Sequence, residues 1–263
     1  MSIFARKRNR KPRFSILQAL GERENQEDSC GISQASISRD YDYPDTFIVA
    51  DGMGGHASGE IASRIAVEES LKTLEQADSF APRLLFDAVT SANDGIRDAR
   101  QLDDSLTGMG TTLLITGFAR GSLYWISVGD SPLYGVDSKF RVTRLNADHS
   151  MKPVIEAMRE NGSSAPENTK ANQLRAALQG ETIDLFDLSE VGTKVDDYRY
   201  FILASDGLET LTTVEIGSFC KSFKHKGPDW IAKALIAGVE EQALESQDNV
   251  TLVLVDAKSF RHK

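Results

Sequence analysis

"TTLLITGFARGSLYWISVGD", residues 111–130, sets two apolar runs rich in Thr, Ile, Leu, Val and aromatics around the dipeptide Arg120-Gly121. Such residues suit a pleated, buried surface, and a two-residue break between two runs of them reads as a β-hairpin. Runs of the same character recur at 14–20 (FSILQAL), 46–51 (TFIVAD), 198–206 (YRYFILASD) and 249–256 (NVTLVLVD). Helical patterns lie between the early ones. Leu85, Val89, Ala92 and Ile96 form one apolar face after Ser79 and Pro82; Ile61, Ile65, Leu71 and Leu74 do the same over 58–77. A third helix is expected at 228–245. Strands therefore come in runs, with helices grouped between them rather than strictly alternating. That order predicts an α+β fold, two antiparallel sheets packed as a sandwich with helices on both outer faces.

With 263 residues, 40% of them hydrophobic, the chain can bury a sizeable core. No apolar run approaches the roughly 20 residues of a membrane span. The opening MSIFARKRNRKPR carries six Lys and Arg and no acid, and it lacks the apolar stretch of a secretory signal. Residues 1–13 are expected to be a flexible basic arm. The remainder, 14–263, holds 24 basic against 39 acidic residues, a net of −15. A surface that acidic is a poor binder of nucleic acid, whose phosphates favour positive patches. Cys30 and Cys220 are the only cysteines, so no disulfide framework is implied and the cytoplasm is the expected compartment. Residues 151–172, MKPVIEAMRENGSSAPENTKAN, are polar and rich in turn formers, and read as an excursion from one domain.

Several strand-like runs end on a carboxylate. TFIVAD ends at Asp51, followed by Gly52; YFILAS leads to Asp206 and Gly207; SLYWISVG leads to Asp130. Asp248 lies just before NVTLVLV, and GERENQEDS offers Glu27 and Asp28 after the first strand. A lone Asp-Gly is most often a turn. Several carboxylates at equivalent strand ends repel one another unless a cation joins them. Oxygen-only ligands favour hard ions such as Mg²⁺, Mn²⁺ or Ca²⁺. The four histidines are scattered and the cysteines lack metal spacing, which argues against zinc. Neither a phosphate-binding Gly-Lys-Ser/Thr loop nor a Gly-x-Ser-x-Gly elbow occurs.

RENQED (23–28), DGMGGHASGE (51–60), GMGTT (108–112), VGDSPLYG (128–135), DHS (148–150), LASDGL (203–208) and QDNVTLVLVD (247–256) resemble the ordered motif set of metal-dependent Ser/Thr protein phosphatases of type 2C, in its bacterial form. The resemblance runs from about residue 14 to 256. It implies a protein serine/threonine phosphatase that hydrolyses phosphoserine and phosphothreonine by attack of a metal-bridging water. Two tight Mn²⁺ or Mg²⁺ ions and a third, weaker one are implied. By matched position Asp51 bridges two ions, the Gly52 carbonyl binds one, and Asp206 and Asp248 complete the other. Glu27 and Asp28 bind directly or through metal-held water, Arg23 grips the substrate phosphate, and Asp130 helps to hold the third ion. Asp51, Asp206 and Asp28 are thus the expected catalytic carboxylates. Phosphorylated proteins, a cognate Ser/Thr kinase and a monomeric single domain with a flap-like insertion at about 151–180 are expected with them. The alternative is a non-catalytic phosphoprotein-binding scaffold of the same fold, which would have lost ligands that this chain keeps.

Three departures bear on mechanism. Met53 stands where eukaryotic relatives have histidine, so leaving-group protonation falls to metal-held water or to His56, whose other role is to cap the following helix. Pro132 stands where the GDS motif is usually followed by arginine. NQLRAALQG, 172–180, is an imperfect copy of the family's Asn…Thr-Arg-Ala-Leu-Gly segment.

Overall fold

In the computed structural model, which describes residues 13–33, 45–54, 58–77, 79–164, 166 and 169–261, Phe47, Ile48, Val49 and Ala50 are all fully buried. Successive residues of a strand face opposite ways, so a strand buried on both faces must have a layer on each side. Phe47 and Val49 pack with Leu114, Phe201, Leu203, Val253 and Val255. Ile48 and Ala50 pack instead with Ala62, Ala66, Leu85, Val89 and Ile96. The first group lies between two sheets and the second between a sheet and its helices.

One sheet holds β1 (Phe14–Ala19), β7 (Leu133–Asp137), β8 (Val142–Arg144), β11 (Tyr198–Ala204) and β12 (Val250–Asp256) in the order β1-β12-β11-β7-β8. The other holds β2 (Asp28–Ile32), β3 (Asp45–Met53), β5 (Leu113–Ala119), β6 (Ser122–Val128) and β10 (Thr193–Lys194) in the order β10-β6-β5-β3-β2. Two short strands join it, β4 (Gly110–Thr111) on β3 and β9 (Asp187–Leu188) on β6. Neighbouring strands run antiparallel in both sheets. Helices α1 (Ser58–Glu75) and α2 (Pro82–Leu102) cover the second sheet. On the first, Ile216 and Cys220 of α4 (Thr213–Phe223) and Ile231, Leu235 and Val239 of α5 (Pro228–Glu240) pack on Ile202, Leu252 and Leu254. The expected α+β sandwich is the observed one.

The hairpin between β5 and β6 turns through Arg120 at φ 50° and Gly121 at φ 74°. Positive φ at both central residues gives the turn a twist that matches its strands. The polar excursion contains a short helix, α3 (Lys152–Glu160). The helix expected at 228–245 ends at Glu240, and Ala243 adopts φ 49°. Its apolar face stops at Val239, and residues 241–246, EQALES, are all exposed, with no apolar face to continue the helix. Of the basic arm only Arg13 is described; it pairs with Asp45 and lies over the Phe260 ring at 4.3 Å. His56 lies outside the described residues.

Candidate active site

Both sheets deliver carboxylates to one end of the sandwich. Asp51 sits opposite Asp28 in the β2–β3 register. Asp206 opens the 3-10 turn Asp206–Thr210 after β11, Asp248 precedes β12, and Asp130 follows β6. Asp51, Asp130, Asp206 and Asp248 line one cleft of about 520 Å³ together with Glu27, Gly52 and Arg23. Asp28, the buried register partner of Asp51, does not line the cleft itself.

Neutral side chains lock these positions. Thr112 Oγ1 accepts from the Asp51 amide at 3.0 Å and lies 2.7 Å from Ser131 Oγ, while the Thr112 amide donates to the Asp51 carbonyl at 2.8 Å. Ser205 Oγ donates to Asp28 Oδ2 at 2.7 Å and accepts from the Thr251 amide at 2.9 Å. Asn249 Oδ1 accepts from the Glu27 amide at 2.8 Å, and its Nδ2 donates to the Leu20 carbonyl at 2.7 Å. His149 is buried, and its Nδ1 accepts from the Gly129 amide at 3.2 Å, which fixes the turn carrying Asp130. Burial lowers the His149 pKa, as a neutral acceptor requires. The sequence reading gave none of these four a role, although each lies inside a quoted motif.

The electrostatics are those of a crowded anionic site. Burial raises Asp51 well above the usual carboxylate range, and the charges of Asp28, Asp206, Asp248 and Asp130 raise it further. Burial pushes Asp130 up to about 7, with Asp206 and Asp148 adding to it. Burial pushes Asp28 up to about 6, against hydrogen bonds from Ser205 and Thr251 that favour its charged form. Asp206 is raised by burial and by Asp248, and Glu27 by burial first.

The donor set fits a hard divalent cation. Asp206 Oδ1 is buried and has no hydrogen-bond partner, whereas buried polar atoms are nearly always paired. Every donor in the cleft's carboxylate cluster is oxygen, which selects Mg²⁺ or Mn²⁺ over softer ions. Among the described residues no three of His, Cys, Asp and Glu draw together into a ready-made cage. Mg²⁺-type sites use few protein carboxylates and keep several waters, so an open arrangement is compatible with them. Arg23 Nη2 lies 2.5 Å from Asp248 Oδ2, both side chains being partly exposed at the cleft rim. The expected phosphate grip is therefore found on a carboxylate, with the rest of its five-donor fork available.

Residues 20–235 match the family described as protein phosphatase 2C. The serine/threonine phosphatase stp of Listeria monocytogenes serovar 1/2a is 30% identical over 250 residues, covering 89% of this chain and 91% of that one. The solved Mycobacterium tuberculosis serine/threonine phosphatase PstP/Ppp is similar with a TM-score of 0.73 at 25% identity, over 95% of this chain and 99% of that chain. The catalytic domain of PstP in complex with two manganese ions gives a TM-score of 0.72 at 26% identity, over 93% and 97% of the two chains.

Proposed function

The chain belongs to the protein phosphatase 2C family of metal-dependent Ser/Thr phosphatases, and from that premise we propose that the carboxylate cleft is its catalytic centre. The observation that carries this reading is the convergence of Asp51, Asp206, Asp248 and Asp130 on one cleft, with a buried Asp206 oxygen left unpaired. Asp51, the Gly52 carbonyl, Asp206 and Asp248 hold two tight Mn²⁺ or Mg²⁺ ions. Asp130 holds a third more loosely, and Glu27 and Asp28 complete the surroundings. Divalent cations bound there lower the pKa of an attacking water and offset the charge that builds on the phosphoryl oxygens. Thr112 and Ser205 keep Asp51 and Asp28 in register. Arg23 binds the phosphate, for which a planar fork of donors is suited. Met53 can give no proton to the departing alkoxide, and we assign that step to the Asp130 side of the cleft.

The substrates in this reading are phosphoserine and phosphothreonine proteins, supplied by a Ser/Thr kinase in the cytoplasm. The catalytic domain is 14–263 and acts as a monomer, with a flap-like insertion at about 151–180. Among the described residues no helix is long and apolar enough to cross a membrane. The deciding experiment is turnover of p-nitrophenyl phosphate and a phosphothreonine peptide with Mn²⁺, Mg²⁺, Ca²⁺ or chelator. Turnover of both with Mn²⁺ and none with chelator is expected; no Mn²⁺-dependent turnover of either sinks the proposal.

Two substitutions separate the roles. Arg23→Ala should raise KM for the phosphopeptide by about tenfold with a smaller fall in kcat, because ground-state phosphate binding is lost. An unchanged KM removes Arg23 from the substrate site. Asp130→Ala should keep the two tight ions and lower kcat. The fall should be larger for the phosphopeptide than for p-nitrophenyl phosphate, whose leaving group needs little protonation. Equal losses on both substrates, at saturating Mn²⁺, count against the proton-supply role.

A further inference from the structure

Arg144 closes β8, and its guanidinium meets three acceptors from three parts of the chain. Nη2 donates to the Asp130 carbonyl at 2.5 Å, and Nη1 to Asp148 Oδ2 at 3.3 Å and Glu209 Oε1 at 3.1 Å. Asp130 follows β6, Asp148 leads toward α3, and Glu209 lies in the 3-10 turn that Asp206 opens. Tyr134, the register partner of Arg144, donates from its hydroxyl to the same Glu209 oxygen at 3.1 Å. Lys152, the first residue of α3, reaches the other Glu209 oxygen at 3.4 Å. Position 132, where the resembled motif has arginine, is proline. Arg144, on the strand next to β7, brings a guanidinium to this turn.

The Arg144 side chain is only 19% exposed, yet its buried Nε has no hydrogen-bond partner. A buried arginine selected only to stabilise the fold is expected to satisfy all its donors. Here the head group is held where three loops meet although one donor goes unused.

We infer that Arg144 is a positioning residue for Asp130: it fixes the backbone at that residue so that the carboxylate faces the cleft. Through Glu209 it couples this aim to the Asp206 turn and, by way of Lys152, to the start of α3. The inference rests on the assignment of Asp130 to the weaker ion site. A lysine at 144 keeps the charge but loses the fork that joins a carbonyl to two carboxylates.

A double-mutant cycle tests it, with Arg144→Met and Arg144→Lys crossed with Asp130→Ala. Each Arg144 variant should lower kcat on the phosphothreonine peptide ~10-fold, leave KM within ~2-fold, and add nothing to the loss in Asp130→Ala. Mn²⁺ titration by calorimetry gives a second readout: both tight ions stay and the weakest binding falls ~10-fold, as when a group that orients a metal ligand is lost. If Arg144→Met does not fold, Arg144→Lys carries the cycle. Losses that multiply in the double variant, or a weak ion bound as in the parent, overturn the positioning role alone. An Asp130→Ala protein with parental kcat and Mn²⁺ binding overturns the weaker-ion assignment and this inference with it.

Discussion

Asp51→Asn should leave a protein that folds but turns over a phosphothreonine peptide at least ~10³-fold more slowly, equivalent to about 4 kcal/mol of transition-state stabilisation. In chelator the same variant should melt at a higher temperature than the parent. Both effects follow from one carboxylate. As the proposed bridge between two ions Asp51 is indispensable to turnover, while without ions it adds charge to a cluster that already resists ionisation. Its native pKa is raised above the unfolded value, so it contributes stability at low pH and loses it as pH rises through the native pKa. Asp28, at about 6, and Asp130, at about 7, behave alike. The chelated parent should therefore lose stability from pH 5.5 to 8 on the order of a few kcal/mol. His149 works the other way, since its native pKa is lowered, but one imidazole is outweighed by several carboxylates. Asn at 51 removes part of the pH-dependent loss and should also reduce the rise in Tm that Mn²⁺ gives. Thermal melts at three pH values, with and without Mn²⁺, check this. A variant with the parent's Tm in chelator at pH 8 contradicts the repulsion argument, and one with parental turnover contradicts the bridging role.

The two-sided burial of β3, β11 and β12 was legible because their apolar runs are nearly unbroken, as strands between two covered faces must be. The hairpin at Arg120-Gly121 was legible from its spacing alone. Short elements were not. β2 is DSCGI and β8 is VTR, too brief and too polar to stand out. The α4 start is signalled by Thr212 and Glu215, which form a capping box in the structure, but with only Ile216, Gly217 and Cys220 buried its apolar stripe is too short to stand out. In the site, carboxylates at strand ends could be picked out by type. Their partners could not, because a sequence does not say which neutral side chain a strand end meets. Thr112 reaches Asp51 from 61 residues away and Ser205 reaches Asp28 from 177. Arg144 stayed hidden for the same reason, since its acceptors include a carbonyl that no residue type announces.

Gly52→Ala should destabilise the protein by about 2–4 kcal/mol and lower turnover at least ~100-fold. The reason is close approach and not backbone freedom, since Gly52 is absent from the glycines with positive φ. A Cβ there would lie 2.1 Å from the Gly59 carbonyl oxygen and 2.5 Å from that of Glu27. Both are backbone atoms, so no rotamer change relieves the overlap. Gly59 is the second residue of α1, and a Cβ on it would in turn meet the Gly52 carbonyl carbon at 3.0 Å. Strand and helix thus touch main chain to main chain, beside the carbonyl proposed as a metal ligand. An alanine must push α1 away, and with it the Glu27 backbone that accepts from the Gly52 amide at 3.1 Å. Gly108→Ala is the control. Gly108 sits at φ 85° with nothing within 4 Å of an added Cβ, so its substitution should show only backbone strain, about 1 kcal/mol, and keep most activity. The comparison needs thermal melts and Mn²⁺-dependent turnover of both variants beside the parent. If Gly52→Ala melts and turns over like Gly108→Ala, the contact is slack and the Gly52 carbonyl is not a ligand.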